Sequence, residues 1–365
     1  MLRYYIFLSV ILIQSFLFRS IKQTKSTNFI YLAITFIELL FIAGFRSRFV
    51  GVDTGHYVNT FNLINFTKSL PEIHMEKGFL IFTKIMTAVS SSSQILLITS
   101  SFIILSSVFF LIYKYSKRSW LSVLIYVTGP FFFHLTGMRQ SLAIAFILFS
   151  FHFILNRKLL FFILTIIFAS AFHKSALLFM PAYFLFNFEL NKKNIIITLS
   201  IAVSSFIFFS IFSQIFFYFF PQYQVYTSSV YYSGEIKSAS IFKTLIAGIY
   251  VIFGFLIWFY KIIPNRNDFE YKQFFQTKLL LYFSFIAFLL QFISINATLL
   301  ERASIIFSSF NIILYPNLIS MVKNKNLKIF LILFLIFWVI LYSSVILIFR
   351  SEWTGCIPYT FIWEV

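Results

Sequence analysis

Long apolar runs separated by short polar turns fill most of the chain. The runs at 28–45, 95–113, 241–260 and 329–349 are each about long enough to cross a hydrocarbon core of roughly 30 Å at ~1.5 Å per residue. Lipid offers the backbone no other hydrogen-bond partner, so each run is expected as a helix. The same reading predicts helices at 2–19, 28–45, 94–113, 119–135, 139–155, 159–173, 175–187, 194–219, 241–260, 276–295, 303–322 and 329–349, about 12 transmembrane helices. The segment 78–92 is short, carries Lys84 and ends in a serine run, so it is expected as one interfacial or re-entrant helix. The pattern therefore predicts an all-α polytopic integral membrane protein. A single transmembrane domain is expected over 1–365, with outward loops at 46–93 and 220–240 that are too small to be separate soluble domains. The two halves share no convincing repeat, and no Gly/Ser-rich or Pro-rich linker divides them.

Composition agrees with that pattern, since 60% of residues are hydrophobic and only 11% are charged, which excludes water as the solvent for most of the surface. The first run ends without a small-residue cleavage site and is followed by Arg19, Lys22 and Lys25, which fits a retained helix better than a signal peptide. A lone cysteine, Cys356, excludes an intrachain disulfide and argues against structural zinc. The net charge of +18 raises nucleic acid as a partner, but the basic residues are scattered between the apolar runs, so no nucleic acid is expected and membrane orientation explains them better. Arg19/Lys22/Lys25, Lys114/Lys117/Arg118, Arg157/Lys158, Lys192/Lys193 and Lys323/Lys325/Lys328 then share one side, which the positive-inside rule makes cytoplasmic. Both termini face the other way. Making 78–92 a span would exchange Arg19/Lys22/Lys25 for Arg3, Arg46, Arg48 and Lys68 at little cost. The first arrangement is favoured because it puts loop 46–93 on the same side as Arg139 and His173.

Loop 46–77 is the most polar stretch and holds Arg46, Arg48, Asp53, Tyr57 and Glu76. Its bland reading is a solvated loop with a basic stop signal. Arg139 and Gln140 follow Thr136-Gly137-Met138 at the start of a helix, where free N–H groups and a guanidinium would suit an anion such as a diphosphate; snorkelling to the headgroups is the alternative. His173 joins two helices shorter than the roughly 20 residues that a straight crossing needs, so its turn is expected below the membrane surface. There it would serve as a proton carrier or ligand, or simply as a hydrogen-bonded histidine of the bundle. Glu38, inside a span, is expected to pair with one of the arginines. Glu301 and Arg302 follow an outward loop and could be a plain exposed pair. His56, His74 and His134 lack metal-ligand spacing, and no Walker loop, GxSxG or HExxH is present. No metal or other cofactor is expected.

Read in order, Arg46, Gly51-Val52-Asp53-Thr54, Tyr57, Glu76-Lys77-Gly78-Phe79, Arg139-Gln140-Ser141-Leu142-Ala143, Phe172-His173-Lys174-Ser175-Ala176-Leu177 and Arg302 resemble the successive signatures of the EpsG family. Lys77 stands where proline is common and Met138 where isoleucine is usual, and neither change removes a polar group. The family is similar to Wzy-type polymerases of O-antigen and capsule repeat units. The resemblance implies a GT-C-like glycosyltransferase at the outer, periplasmic face of a bacterial inner membrane, serving O-antigen or capsule/exopolysaccharide biosynthesis. It would move a growing glycan from undecaprenyl diphosphate to the non-reducing end of a lipid-linked repeat unit, with the lipid bilayer and a chain-length regulator protein as further partners. Arg139 is then expected as the principal diphosphate ligand, assisted by Arg46, Arg48, Gln140 and Arg302. Asp53 and His173 are close rivals for the base, with Glu76 a third candidate. Tyr57, Tyr223, Tyr226, Tyr231 and Tyr232 are candidates for sugar contacts. A lipid-linked oligosaccharide flippase is the leading alternative, but it predicts related halves and charges along a central cavity. An O-antigen ligase-like transferase would carry its large outer loop later in the chain. A membrane acyltransferase would need a histidine reachable from the cytoplasmic side.

Overall fold

The computed structural model describes residues 2–219, 237–261, 268–297 and 300–364, and these are helical apart from turns and one isolated bridge between Arg46 and Phe361. The chain forms two units, Met1–Leu177 with Tyr315–Val365, and Leu178–Leu314.

In the first unit, α1 (Leu2–Ser20) is followed by α2 (Lys25–Gly44). Thr24 starts α2 through a reciprocal cap, its hydroxyl accepting from Thr27 N at 3.1 Å while Thr27 Oγ1 accepts from Thr24 N at 2.8 Å. Such a box satisfies backbone donors that the first turn leaves open. The two helices share polar contacts at depth: Ser15 meets Tyr31 at 2.8 Å, and the Gln14 amide donates to Glu38. Glu38 was expected to pair with an arginine. Its partner is Gln14, because the facing stretch of α1 carries an amide at that level and no guanidinium.

Helix α5 (Gln94–Tyr115) packs against α2 and against α8 (Met138–Leu155). Gln94 Nε2 donates to the carbonyl of Gly44, so residues 45–93 leave and return at the same end of the unit. That excursion contains α3 (Thr54–Thr67) and α4 (Lys77–Val89). At 13 residues, α4 is too short to cross, as expected for 78–92. The helix α3 was not expected. Its polar composition read as loop, yet Tyr57, Val58, Phe61 and Ile64 are buried, a helical spacing that gives it one apolar face.

The run expected as one helix over 119–135 is two, α6 (Ser119–Thr128) and α7 (Pro130–Thr136), bent by 49°. Pro130 supplies no N–H to continue the first helix and is well placed at the start of the second. After α8, the short α9 (Leu159–Ser170) leads into a 3₁₀ helix at Lys174–Asn187, with Pro181 inside it. The expected helices 159–173 and 175–187 are thus a 12-residue α-helix and a 3₁₀ segment.

In the second unit, α10 (Lys192–Ile207) starts on Asn191, whose side chain accepts from Asn194 N at 2.8 Å. The span expected over 194–219 breaks at Phe208, and α11 (Phe209–Phe219) departs at 80°. Helices α12 (Lys237–Lys261), α13 (Asp268–Ile293) and α14 (Glu301–Ser308) follow, and α13 packs on α10, α12 and α14. Phe179, Phe283, Phe307 and Phe310 form an aromatic core, with Phe179 stacked on Phe310 at 5.5 Å. Helix α15 (Asn311–Met321) carries the chain from the second unit back to the first, where α16 (Lys325–Phe349) starts on an Asn324 cap.

Among the described residues, six helices are long and apolar enough to cross a membrane, or up to nine if each bent pair is one crossing. The chain is an all-helical, membrane-embedded protein. The count differs from the expected twelve partly because α9 and the 3₁₀ segment are short legs. Of the segment 220–240 that was expected as an outward loop, residues 220–236 lie outside the described residues, and with them Tyr223, Tyr226, Tyr231 and Tyr232.

Candidate active site in the first unit

Glu76 sits at the N-cap position of α4, yet its carboxylate makes no cap bond to that helix. It reaches instead to Arg139, the second residue of α8, with Oε2 at 2.5 Å from Nη1. Its other oxygen accepts from Lys174 N at 3.3 Å. One carboxylate therefore joins the start of α4, the start of α8 and the turn after α9.

Gly78 makes this convergence possible. A Cβ there would stand 2.5 Å from Ala171 O and 2.7 Å from Ala171 Cβ, closer than any side chain tolerates. The first turn of α4 thus rests directly on the backbone at the end of α9, which brings Glu76 within reach of Lys174.

Tyr57, on the buried face of α3, packs on Phe79 at 5.3 Å and lies within electrostatic reach of Arg139. Burial raises its phenol above the ordinary range, the Asp53 charge adds to the rise, and Arg139 opposes it. Asp53 is exposed at the N-cap position of the same helix and, like Glu76, makes no cap bond. The Arg139 side chain is partly buried, and among the described residues its Nε is buried with no partner, as are Thr136 Oγ1 and Ser141 Oγ on either side of it in sequence. Gln140 is buried beside it in the chain. The start of α8 thus adds a guanidinium to the positive end of a helix, and Glu76 balances that charge.

His173 is buried in the turn between α9 and the 3₁₀ helix. Ser175 N donates to its Nδ1 at 3.3 Å, and Ser175 Oγ lies 2.7 Å from the same nitrogen. The backbone donation makes Nδ1 an acceptor, so the neutral ring carries its proton on Nε2.

The EpsG family model matches residues 29–361. The chain belongs to the EpsG family. No curated protein and no solved structure matches it. EpsG-family proteins are membrane proteins of polysaccharide biosynthesis, and the match runs from α2 through the Glu76–Arg139 site to Phe361 in the C-terminal tail.

That tail is a part of this EpsG-family protein which sequence reasoning missed. Ser47 N donates to Thr360 O at 2.9 Å, Gly51 N to Gly355 O at 2.8 Å, and Ile362 N to Phe45 O at 3.0 Å. Ser47 Oγ and Thr360 Oγ1 meet at 2.6 Å, and the Tyr359 hydroxyl donates to Ile42 O. Gly51 adopts φ +97° with its α-carbon against Leu135 O, so the tail and the end of α7 hold this loop from two sides. No local pattern announces these contacts, because the partners lie roughly three hundred residues apart in sequence. The one readable sign was Gly51, a residue suited to positive φ.

The remaining predicted site residues are spread differently. Arg46 is buried beneath the tail at 1% exposure, its Nη1 donating to Ala43 O and to Ser101 Oγ at 3.4 Å. Burial lowers its guanidinium to about 10, which still leaves it charged at neutral pH. Arg48 is exposed and donates to Asn59 Oδ1 at 2.7 Å. Arg302 belongs to the second unit, on α14 beside Glu301, whose carboxylate pairs with Lys243 at 2.5 Å. Tyr57, Glu76, Arg139 and the 173–175 turn are the residues that the fold brings together.

Proposed function

We propose that this EpsG-family protein is a glycosyltransferase that polymerises lipid-linked repeat units. It transfers a growing glycan from undecaprenyl diphosphate to the non-reducing end of the next lipid-linked unit, at the periplasmic face of the inner membrane. The observation that carries this reading is the meeting of Arg139, Glu76, Tyr57 and the Lys174 amide at one end of the first unit.

Breaking the bond between sugar and diphosphate places negative charge on the leaving phosphate. A guanidinium at a helix start, in a partly buried site, stabilises charge of that sign. Arg139 takes this role, with the Tyr57 hydroxyl and the neighbouring Gln140 assisting. The acceptor hydroxyl must lose a proton as it attacks, and a carboxylate is the better base here. In the tautomer that Ser175 N favours, His173 has Nδ1 engaged and a proton on Nε2, so it can donate a hydrogen bond but has no free nitrogen to take the acceptor's proton. Asp53 and Glu76 are the base candidates. Arg48 attracts the anionic donor, and Arg46 holds the loop that carries it in place. The orientation follows from the basic end of the unit, where Arg19, Lys22, Lys25, Lys114, Lys117 and Arg118 would face the cytoplasm. A chain-length regulator is the expected protein partner.

The test is the surface-glycan ladder of a strain lacking this gene, complemented with wild type or with Arg139→Gln at matched membrane levels. Wild type should restore the ladder and the variant should leave a single capped repeat unit. Disappearance of even that single unit in the deletion, with lipid-linked units building up on the cytoplasmic side, would make the protein a flippase instead.

A further inference from the structure

At the end of the first unit away from the Glu76–Arg139 pair, the packing of α1 and α16 on α6 gathers three basic residues into one region: the last turn of α1, the turn before α6 and the first turn of α16 each supply one. Arg118 precedes α6 in a turn fixed by Arg118 N donating to Ser116 Oγ at 3.1 Å and Lys117 N donating to Asn317 Oδ1 at 2.8 Å. Arg19, from the last turn of α1, lies over the Trp120 ring at 5.5 Å. Lys328, from the first turn of α16, donates to Ser320 O at 3.3 Å. The Arg118 guanidinium is held below its ordinary range first by burial and then by Arg19, and Lys328 is lowered first by burial and then by Arg118.

No carboxylate among the described residues of the unit pairs with this cluster. The unit's carboxylates are Glu38, Asp53, Glu72, Glu76, Glu352 and Glu364; Glu38 is taken by Gln14 within the bundle, and the others lie in the 45–93 excursion or in the tail at the opposite end. Arg118 Nε is buried and has no partner among the described residues. A half-buried guanidinium with an unused donor, beside two further cations, is a costly arrangement unless an anion completes it.

We propose that Arg19, Arg118 and Lys328 bind the phosphate of an anionic membrane phospholipid. A guanidinium fork and an ammonium suit phosphate oxygens, and basic pockets between helix ends on the cytoplasmic side are where such headgroups bind. A lipid is favoured over a free phosphate by what borders the cations. Phe16 and Leu17 on α1 and Phe330 on α16 are exposed within three residues of Arg19 and Lys328, and they offer an apolar wall for the acyl chains.

The experiment is native mass spectrometry of the purified full chain in detergent, titrated with phosphatidylglycerol or phosphatidylcholine, with thermal unfolding followed in parallel. Wild type should retain phosphatidylglycerol in preference to phosphatidylcholine, and Arg118→Gln should weaken that retention about fivefold or more. Lys22→Gln, an exposed lysine outside the cluster, should bind as wild type does. If Arg118→Gln does not give a monodisperse protein, Arg19→Gln carries the test, because that side chain is exposed. Equal retention of the two lipids, undiminished retention by the cluster variants, or equal stabilisation by inorganic phosphate at the same molarity would each overturn the proposal.

Discussion

The Glu76 carboxylate meets the Arg139 guanidinium at 2.5 Å across 63 positions of sequence, and so occupies the group that the proposed reaction needs for a diphosphate. An incoming anion must compete with it. Glu76→Gln keeps the shape and removes the charge, so pyrophosphate binding to the purified protein should tighten by about tenfold, the scale of one partly buried charge interaction of ~1.4 kcal/mol. Glycan polymerisation should fall in the same variant, because a carboxylate has been lost from the site. Arg139→Gln should lose pyrophosphate binding altogether. Calorimetric titration decides the matter, and weaker binding by Glu76→Gln would show that Glu76 orients Arg139 rather than competing for it.

Gly78 is the geometric hinge of the site. Gly78→Ala places a methyl group 2.5 Å from the backbone oxygen of Ala171, and the clash is with backbone and not with the end of a flexible side chain. The start of α4 must move away from α9, which breaks the contact from Lys174 N to Glu76. We expect a loss of about 1–3 kcal/mol in stability, the usual range for overpacking, seen as a lower unfolding temperature in detergent, and no rescue of the glycan ladder. Gly55→Ala is the control, since its Cβ would meet only Arg48 O at 3.6 Å and should leave both readouts unchanged.

The membrane character and most helix positions follow from apolar runs alone, since lipid permits few alternatives to helix. Breaks within those runs were harder to read. Pro130 marked one in plain sight, whereas the bend at Phe208 follows only the Ser204-Ser205 pair, a far weaker signal than a proline. Among the site residues, Glu76, Tyr57 and Arg139 were legible as polar groups flanking apolar runs, and the fold gathers them. Their connection through the Lys174 amide was not legible, because a backbone donor has no sequence identity. Arg46 and Arg48 look equivalent in sequence, and only the tail that covers the first distinguishes them.

Cys356 reports on that tail. Its thiol is buried, lies 3.8 Å from Phe132 O, and is pushed by burial from an ordinary value of 9.0 up to about 11. At neutral pH it should react with a maleimide far more slowly in the folded protein than after denaturation. The folded thiol holds its proton where the unfolded one has released it, so this group's contribution to stability is complete below pH 9 and is lost as pH rises towards 11. Thr360→Ala removes the 2.6 Å contact with Ser47 and should speed labelling at neutral pH. Unchanged labelling would mean that the backbone bonds hold the tail without that hydroxyl.

Arg46 separates a ligand from an anchor. Its side chain is enclosed at 1% exposure and already spends Nη1 on Ala43 O and Ser101 Oγ, so a diphosphate could reach it only if the tail lifted. Arg46→Ala removes the guanidinium and leaves a cavity between the loop, α5 and the tail. We expect a stability loss of about 2–4 kcal/mol, in the range for truncating a large buried side chain that is hydrogen-bonded. Arg46→Met fills most of the volume without the charge and should recover part of that loss. In both variants the fraction that stays folded should bind pyrophosphate as wild type does, because Arg139 and Tyr57 are untouched. A variant of normal stability whose pyrophosphate affinity has dropped would instead return Arg46 to the set of substrate ligands, and would require the tail to open during each round of transfer.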